Sequence, residues 1–171
     1  MALDIRTFGD PALKTRAAPV ETFDGALASL ADEMLVTMRE REGVGLAANQ
    51  VGRLKRILVA GAEDEEYVIV NPVLEEVAET TEKELEGCLS IPNIQVEVER
   101  PTGVKVSGQD AAGAPLHIEA SGLLARIFQH EMDHLDGVLI LDRTDRESRK
   151  AAMREMRERL LAQSQPPPGV P

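Results

Sequence analysis

Hydrophobic residues recur every three or four positions in three long stretches of the chain, and this spacing predicts amphipathic helices. The predicted helices cover residues 24–41, 121–136 and 145–163. Asp24 is suited to the N-cap of the first helix, the Ser121 hydroxyl can cap the second, and Gly137 ends it. Pro11 favours a further short helix over residues 12–16.

The middle of the chain alternates apolar and polar residues, as strands with one buried face do. The predicted strands cover residues 56–60, 66–70, 73–77, 94–98, 103–107 and 116–120. Because they follow one another without helices between them, they favour antiparallel pairing. We therefore predict an α+β fold in which antiparallel β-sheets pack around the helix at 121–136, with an N-terminal helix and a C-terminal helix. Residues 1–164 are expected to form a single domain, and the Pro-rich residues 165–171 to be disordered.

The composition restricts the compartment and the partners of the protein. At 171 residues and 43% hydrophobic composition, the chain is large enough to bury a core. Its net charge of −11 argues against DNA or an anionic membrane as a partner. No apolar run reaches the ~18 residues of a membrane helix, and the single cysteine, Cys88, excludes an internal disulfide. These features predict a cytoplasmic protein.

The helix at 121–136 carries a pattern typical of metal binding. His130 and His134 are four residues apart, so they lie on one face of a helix and can ligate the same ion. Glu131 would stand beside the open position of that ion. Two surface histidines could show the same spacing, but the apolar residues of this helix predict that it is substantially buried. A catalytic metal site also needs a third protein ligand. The candidates are Cys88, Glu147, Glu155 and Glu158.

Three motifs lie in order along the chain. They are Gly-Val-Gly-Leu-Ala-Ala-Asn-Gln at 43–50, Glu-Gly-Cys-Leu-Ser at 86–90 and Gln-His-Glu-Met-Asp-His at 129–134. Together they resemble the three motifs of the peptide deformylase family, and the resemblance covers nearly the whole chain apart from its Pro-rich end. It implies a metal-dependent hydrolase of protein biosynthesis, which removes the N-formyl group from the N-terminal formylmethionine of newly made polypeptides and releases formate.

The resemblance implies a particular metal centre. Its ligands would be Cys88, His130 and His134, with water or hydroxide in the fourth position. Glu131 would act as the general acid–base, taking a proton from that water and passing it to the leaving amine. Fe(II) is the divalent ion that the family implies, and Zn(II), Ni(II) or Co(II) can substitute for it.

The resemblance also implies an oxyanion site and a substrate pocket. The Gln50 side-chain amide and the Leu89 backbone N–H would stabilise the tetrahedral oxyanion that forms when the formyl carbon is attacked. The residues implied to bind the substrate are Val44, Gly45, Leu123 and Ile127. The chain departs from the family pattern at Glu84, which stands where an apolar pocket residue is expected.

Two charged features complete the resemblance. Glu86, Arg100 and Asp133 are implied to form a charge network beside the metal ligands. From Arg143 to Leu160 the last predicted helix carries seven Arg or Lys residues against four acidic ones. This helix resembles the element by which bacterial deformylases dock on ribosomal RNA. The implied partners are therefore N-formylmethionyl nascent peptides and, through this helix, the ribosome.

Two other functions fit part of the pattern. A small zincin-type endopeptidase would share the His-Glu-x-x-His pattern but would take its third ligand from downstream of it rather than from Cys88. A ribosome-associated binding module with a structural zinc would need a fourth protein ligand. The only other histidine of the chain, His117, lies outside the three motifs.

Overall fold

The computed structural model describes residues 2–164 and places them in a mixed α/β fold with two antiparallel sheets. The strands are β1 (Gly45–Ala47), β2 (Ile57–Ala62), β3 (Glu65–Val77), β4 (Thr81–Cys88), β5 (Ile91–Pro101), β6 (Gly103–Gln109) and β7 (Pro115–Ser121). The helices are α1 (Gly25–Glu40), α2 (Gly122–Leu135), α3 (Ile140–Arg143) and α4 (Arg146–Ser164). A five-stranded sheet has the order β1-β2-β3-β6-β7, and β4 pairs with β5 in a separate hairpin.

Strand β2 of the five-stranded sheet is buried on both faces because a helix covers each of them. Successive residues of a strand point to opposite faces. Leu58 and Ala60 of β2 belong to the apolar cluster that includes α2, whereas Ile57 and Val59 pack with α1. All four are fully buried. Because both faces of β2 are buried, its sequence is a continuous apolar run rather than an alternation of apolar and polar residues.

The β4–β5 hairpin packs against the C-terminal part of the chain. Ile94, Val96 and Val98 are alternate residues of β5, so they share one face, and they form a third apolar cluster with residues of α3 and α4. Helix α2 contacts both the five-stranded sheet and β5. It therefore lies between the two sheets, with its residues close to the hairpin as well as to the main core.

The structure confirms the antiparallel pairing and the three long predicted helices, and it corrects several details. The strands predicted at 66–70 and 73–77 form one strand, β3, with an irregularity in its pairing to β6 between them. The helix predicted at 12–16 is a 3₁₀ turn over Pro11–Lys14, because the backbone is already extended at Thr15. Ser121 makes no side-chain capping hydrogen bond, since it is also the last paired residue of β7.

Three elements are missing from the sequence prediction. β1 and α3 are only three and four residues long, too short to produce a period. β4 carries mostly charged and exposed residues, so apolar alternation does not reveal it. The expected disorder of residues 165–171 concerns a segment outside the described residues. Among residues 2–164, no helix combines the length and apolar character needed to cross a membrane.

The C-terminal end of α2 is held by the N-terminal segment of the chain and by Arg56. The Ala17 N–H and Nη1 of Arg56 both donate to the carbonyl of Leu135, at 2.8 and 3.0 Å. Gly137 follows with a φ of +76°, and a Cβ built there would lie 2.7 Å from the carbonyl oxygen of Lys14. A side chain at this position would therefore push the N-terminal segment away from the end of α2.

We expect Gly137→Ala to lower the free energy of unfolding by about 2–4 kcal/mol. Alanine is disfavoured here both by the left-handed backbone conformation and by a clash of its Cβ with main-chain atoms. Gly25→Ala is the matched control, since a Cβ built at Gly25 meets no atom within 4 Å. The control should leave stability unchanged or raise it by up to about 1 kcal/mol. Urea unfolding at one fixed zinc concentration measures both variants. Equal stability of the two would contradict the packing argument.

Candidate active site

Helix α2 and strand β4 bring together three side chains that can ligate a metal. His130 and His134 lie one turn apart on α2, and their Nε2 atoms are 3.2 Å apart. Cys88 is the last residue of β4, at the tight turn into β5, and its Sγ lies 3.3 Å from Nε2 of His134. All three donor atoms lie within 4.8 Å of one another. No other trio of His, Cys, Asp or Glu within residues 2–164 forms such a group.

The spacing and the chemistry of these donors fit a small divalent metal ion. In a tetrahedral site with bonds of roughly 2.0–2.3 Å, the donor atoms stand about 3.3–3.6 Å apart. The two shortest separations here are close to that range. One thiolate and two imidazoles suit zinc and the neighbouring transition metals. The alternative third ligands are exposed on α4 and do not belong to the group; they are Glu147, Glu155 and Glu158.

The two histidines differ in their protonation because their neighbours differ. Burial and the charge of His130 lower the pKa of His134 well below its ordinary value, so its ring is neutral, as a metal ligand must be. Burial also acts to lower the pKa of His130, but hydrogen bonds with Cys88 and Glu86 outweigh it and raise that pKa to about 10. A proton on His130 competes with a metal ion, so metal binding releases it.

Glu131 follows His130 on α2 and occupies space that Gly45 leaves open. A Cβ built at Gly45 would lie 2.8 Å from Oε1 of Glu131 and 2.9 Å from the side chain of Ile127. The Glu131 side chain is buried, and its Oε2 has no hydrogen-bond partner among residues 2–164. Its Oε1 lies 3.9 Å from Nε2 of His130. Burial raises the pKa of Glu131 to about 7. A carboxyl group so placed can accept a proton beside the three donors.

The side-chain amide of Gln50 also lies beside the metal-ligating group. Its Oε1 accepts a hydrogen bond from the Ala47 N–H at 2.9 Å, which fixes the orientation of the amide. Its Nε2 therefore faces the hairpin turn, at 3.1 Å from Oγ of Ser90 and 3.5 Å from Sγ of Cys88. Leu89, which lies between Cys88 and Ser90 in the sequence, lines one groove together with Gln50 and Cys88. The buried Gln50 side chain thus presents an N–H donor next to the metal-ligating group.

A buried charge network centred on Glu86 supports the ligands. Oε1 of Glu86 accepts a hydrogen bond from Nδ1 of His130 at 2.9 Å, which leaves the Nε2 atom of that ring to face the other donors. Nε and Nη2 of Arg100 donate to the same carboxylate at 2.8 and 2.9 Å. Burial acts to raise the pKa of Glu86, but these hydrogen bonds from Arg100 and His130 hold it well below its ordinary range.

The network contains the three predicted residues and two that the sequence does not single out. Nη1 of Arg100 donates to Asp133 at 2.7 Å, which completes the predicted set. Arg126 adds a hydrogen bond to Glu86 at 2.6 Å, and Arg143 holds both oxygens of Asp133, at 2.8 and 3.0 Å. Arg126 lies four residues before His130, so the helical period places it on the same face of α2. No comparable signal points to Arg143.

Cys88 and His130 line a groove of about 970 Å³, whereas the buried His134 does not. The residues predicted to bind the substrate all line it; they are Val44, Gly45, Leu123 and Ile127. Glu84, which stands in the place of an expected apolar residue, is exposed and lies 3.5 Å from Nε of Arg126. The adjacent Leu85 lines the groove instead. The wall therefore has its apolar residue one position later than expected.

Comparison with known proteins identifies the family of this chain. A family model described as polypeptide deformylase matches residues 2–150. The chain belongs to this family. Peptide deformylase 1 of Corynebacterium efficiens is 52% identical over 154 residues, which cover 88% of this chain and 91% of that protein. The deformylase match therefore includes all three motifs.

Solved deformylase structures share the fold. A peptide deformylase from Legionella pneumophila superimposes with a TM-score of 0.89 and is 36% identical, over 98% of this chain and 100% of that chain. A peptide deformylase from Synechococcus elongatus, solved in complex with actinonin, has a TM-score of 0.86 and 43% identity, over 90% of this chain and 85% of that chain. Members of this family are metal-dependent enzymes that remove the N-formyl group of nascent peptides, and this chain is similar to them in sequence and in fold.

Proposed function

We propose that this chain deformylates nascent peptides with Cys88, His130 and His134 holding one divalent metal ion on the central helix α2. The observation that carries the proposal is the approach of the three donor atoms to within 4.8 Å of one another, with Cys88 and His130 in the wall of a groove. The family match supports the reaction, and the spacing of the donors supports the ligand set. When bound, such an ion lowers the pKa of a coordinated water to ~7 and polarises a carbonyl oxygen.

Glu131 is the general acid–base of the proposed reaction. Its unpartnered Oε2 accepts the proton that the attacking water loses, and it then gives that proton to the amine that leaves. The oxygen of the attacking water bonds to the formyl carbon, and the bond between that carbon and the nitrogen breaks, so the products are formate and a peptide with a free amino terminus. Gly45 is required next to Glu131 because any side chain there would occupy the position of its carboxylate.

The Gln50 amide and the Leu89 N–H stabilise the oxyanion in this proposal. The Ala47 N–H holds the amide with Nε2 toward the hairpin turn, so the donor needs no reorientation during the reaction. One donor of this kind is typically worth ~3–4 kcal/mol of transition-state stabilisation. The methionine side chain lies against the apolar part of the groove, where Val44 and Leu123 are 50% and 58% exposed and available for contact.

The proposal also covers the identity of the metal and the location of the enzyme in the cell. We infer that Fe(II) is the native metal, because the family resemblance implies it, and that Zn(II), Ni(II) or Co(II) can replace it. We also propose a cytoplasmic enzyme that docks on the ribosome through α4. The basic stretch identified in the sequence lies largely on this helix, which is exposed over most of its length.

The composition of the donor group argues against both alternative functions, the endopeptidase and the binding module with a structural zinc. An endopeptidase with a downstream ligand has no use for Cys88, yet Cys88 stands in the donor group and the downstream acids do not. A closed structural zinc site needs a fourth ligand, and the donor group within residues 2–164 has three. His117 lies on β7 and is exposed.

Formate release from formyl-Met-Ala-Ser by the Ni(II)-loaded protein tests the proposed function. The loaded protein should release formate, and Cys88→Ala should bind metal more than about 100-fold more weakly, since losing a ligand costs more than losing its support. An endopeptidase with a downstream ligand would keep both its metal and its activity after this change. No formate from a fully metallated parent protein would refute the proposal.

A further inference from the structure

The groove extends beyond the residues assigned to formylmethionine. Its volume of about 970 Å³ is at the upper end of the ~300–1,000 Å³ of typical ligand pockets. Its wall also contains a set of exposed polar residues that takes no part in the roles assigned above. They are Arg41, Glu42, Asn93, Gln95 and Arg159. A peptide longer than the first residue would meet this polar set.

Arg41 and Arg159 reach the groove from two different helices. Arg41 is the C-cap residue of α1. It comes two residues before Gly43, which lies close to Leu89 of the groove wall, since a Cβ built at Gly43 would lie 2.7 Å from the Leu89 side chain. Arg159 lies one turn beyond Met156, which packs against the apolar cluster of β5. The last turns of α4 thus form part of the groove wall.

The exposed charge in this wall is positive on balance. Glu86 and Arg126 also line the groove, but both are buried and pair with each other at 2.6 Å, so they offer no free charge. Outside the metal site, the exposed charged residues of the wall are Arg41, Glu42 and Arg159. Two positive charges and one negative charge line this part of the groove, and Arg159 pairs with Glu155, which is not one of the lining residues.

Arg159 is available to a new partner because its present one is exposed. Its Nη2 donates to Oε1 of Glu155 at 2.8 Å, and the two side chains are 47% and 50% exposed. Ion pairs of this kind contribute little to stability. An acidic side chain of a peptide can therefore take the place of Glu155, and the guanidinium offers paired donors that match both carboxylate oxygens.

We propose that Arg41 and Arg159 select nascent peptides that carry an acidic side chain downstream of the formylmethionine. The inference rests on the proposed deformylase function and adds a substrate preference to it. Glu42 opposes the two arginines and limits the size of the preference. Because both arginines are exposed, we expect a preference of about threefold to fivefold in kcat/KM rather than an absolute requirement.

Amidated hexapeptides of formyl-Met followed by alanines test the inference, with a single Asp, Asn or Lys placed at each later position in turn. The kcat/KM of the Asp peptide should exceed that of the Asn peptide by about threefold to fivefold at one or more positions, and the Lys peptide should be the poorest. In the double variant Arg41→Gln/Arg159→Gln, the ratio of Asp to Asn should fall to about one. Glu42→Gln should raise the ratio.

Arg154→Gln is the matched control, because it removes the same charge from an exposed position of α4 that does not line the groove. It should keep the parent ratio. The inference is overturned by equal rates for Asp and Asn peptides at every position, by a ratio that survives in the double variant, or by an equal fall in Arg154→Gln. Each of these results leaves deformylation itself intact. Absence of formate release from every peptide would overturn the proposed function and this inference with it.

Discussion

Glu131→Gln is expected to remove most of the deformylase activity while the metal stays in place. The substitution keeps the size of the side chain but replaces the carboxylate whose Oε2 has no partner among residues 2–164. General acid–base catalysis typically contributes about 10²–10⁴-fold, so kcat should fall by that factor. The metal content should not change, because Glu131 is not one of the three grouped donors. Formate release and metal analysis on the same sample measure both quantities.

The control for this experiment is Glu158→Gln, which makes the same chemical change at an exposed position of α4. It should leave kcat unchanged. Loss of activity through unfolding is not expected, because Glu131→Gln replaces a buried carboxylate with a neutral amide of the same shape and should preserve or raise the stability. Full metal content with an unchanged kcat in Glu131→Gln would assign the proton transfer to another group.

The parts of the site that follow from local geometry could be predicted from the sequence. His130 and His134 face the same way because the helical period places them there, and no tertiary information is needed. Glu131 adjoins the pair for the same reason. The spacing alone leaves the third donor open, since several acids compete with Cys88. The resemblance implies Cys88, and in the structure its Sγ lies 3.3 Å from Nε2 of His134.

The parts that depend on distant pairing could not be predicted. β4 is mostly charged and exposed, so its sequence resembles a loop, and only pairing with β5 makes it a strand. Arg143 is close to the histidine motif in sequence, but it lies at the end of the separate helix α3. Its contact with Asp133 therefore depends on how α3 folds back toward α2. The role of Gly45 is also tertiary, because the atom that a Cβ would meet belongs to Glu131 on another element.

Glu86→Ala is expected to destabilise the fold and weaken metal binding together. The Glu86 side chain is buried, and its carboxylate accepts hydrogen bonds from Arg100, Arg126 and His130. Removing it takes away the carboxylate that two buried guanidinium groups share, and breaking a buried ion pair in this way typically costs about 3–5 kcal/mol. It also frees the His130 ring to turn, and losing such support for a ligand typically weakens metal binding by about 10–100-fold.

Glu84→Ala separates these effects from a simple loss of charge, because Glu84 lies two residues earlier on the same strand. Its side chain is 56% exposed and lies 3.5 Å from Nε of Arg126, so the change should cost less than about 1 kcal/mol and leave metal affinity unaltered. Urea unfolding at a fixed zinc concentration and competition with a chelator measure the two quantities for both variants. If Glu86→Ala lost stability but kept the parent metal affinity, the network would serve the fold alone. If it lost neither, the hydrogen bonds to His130 and Arg100 would have no energetic role.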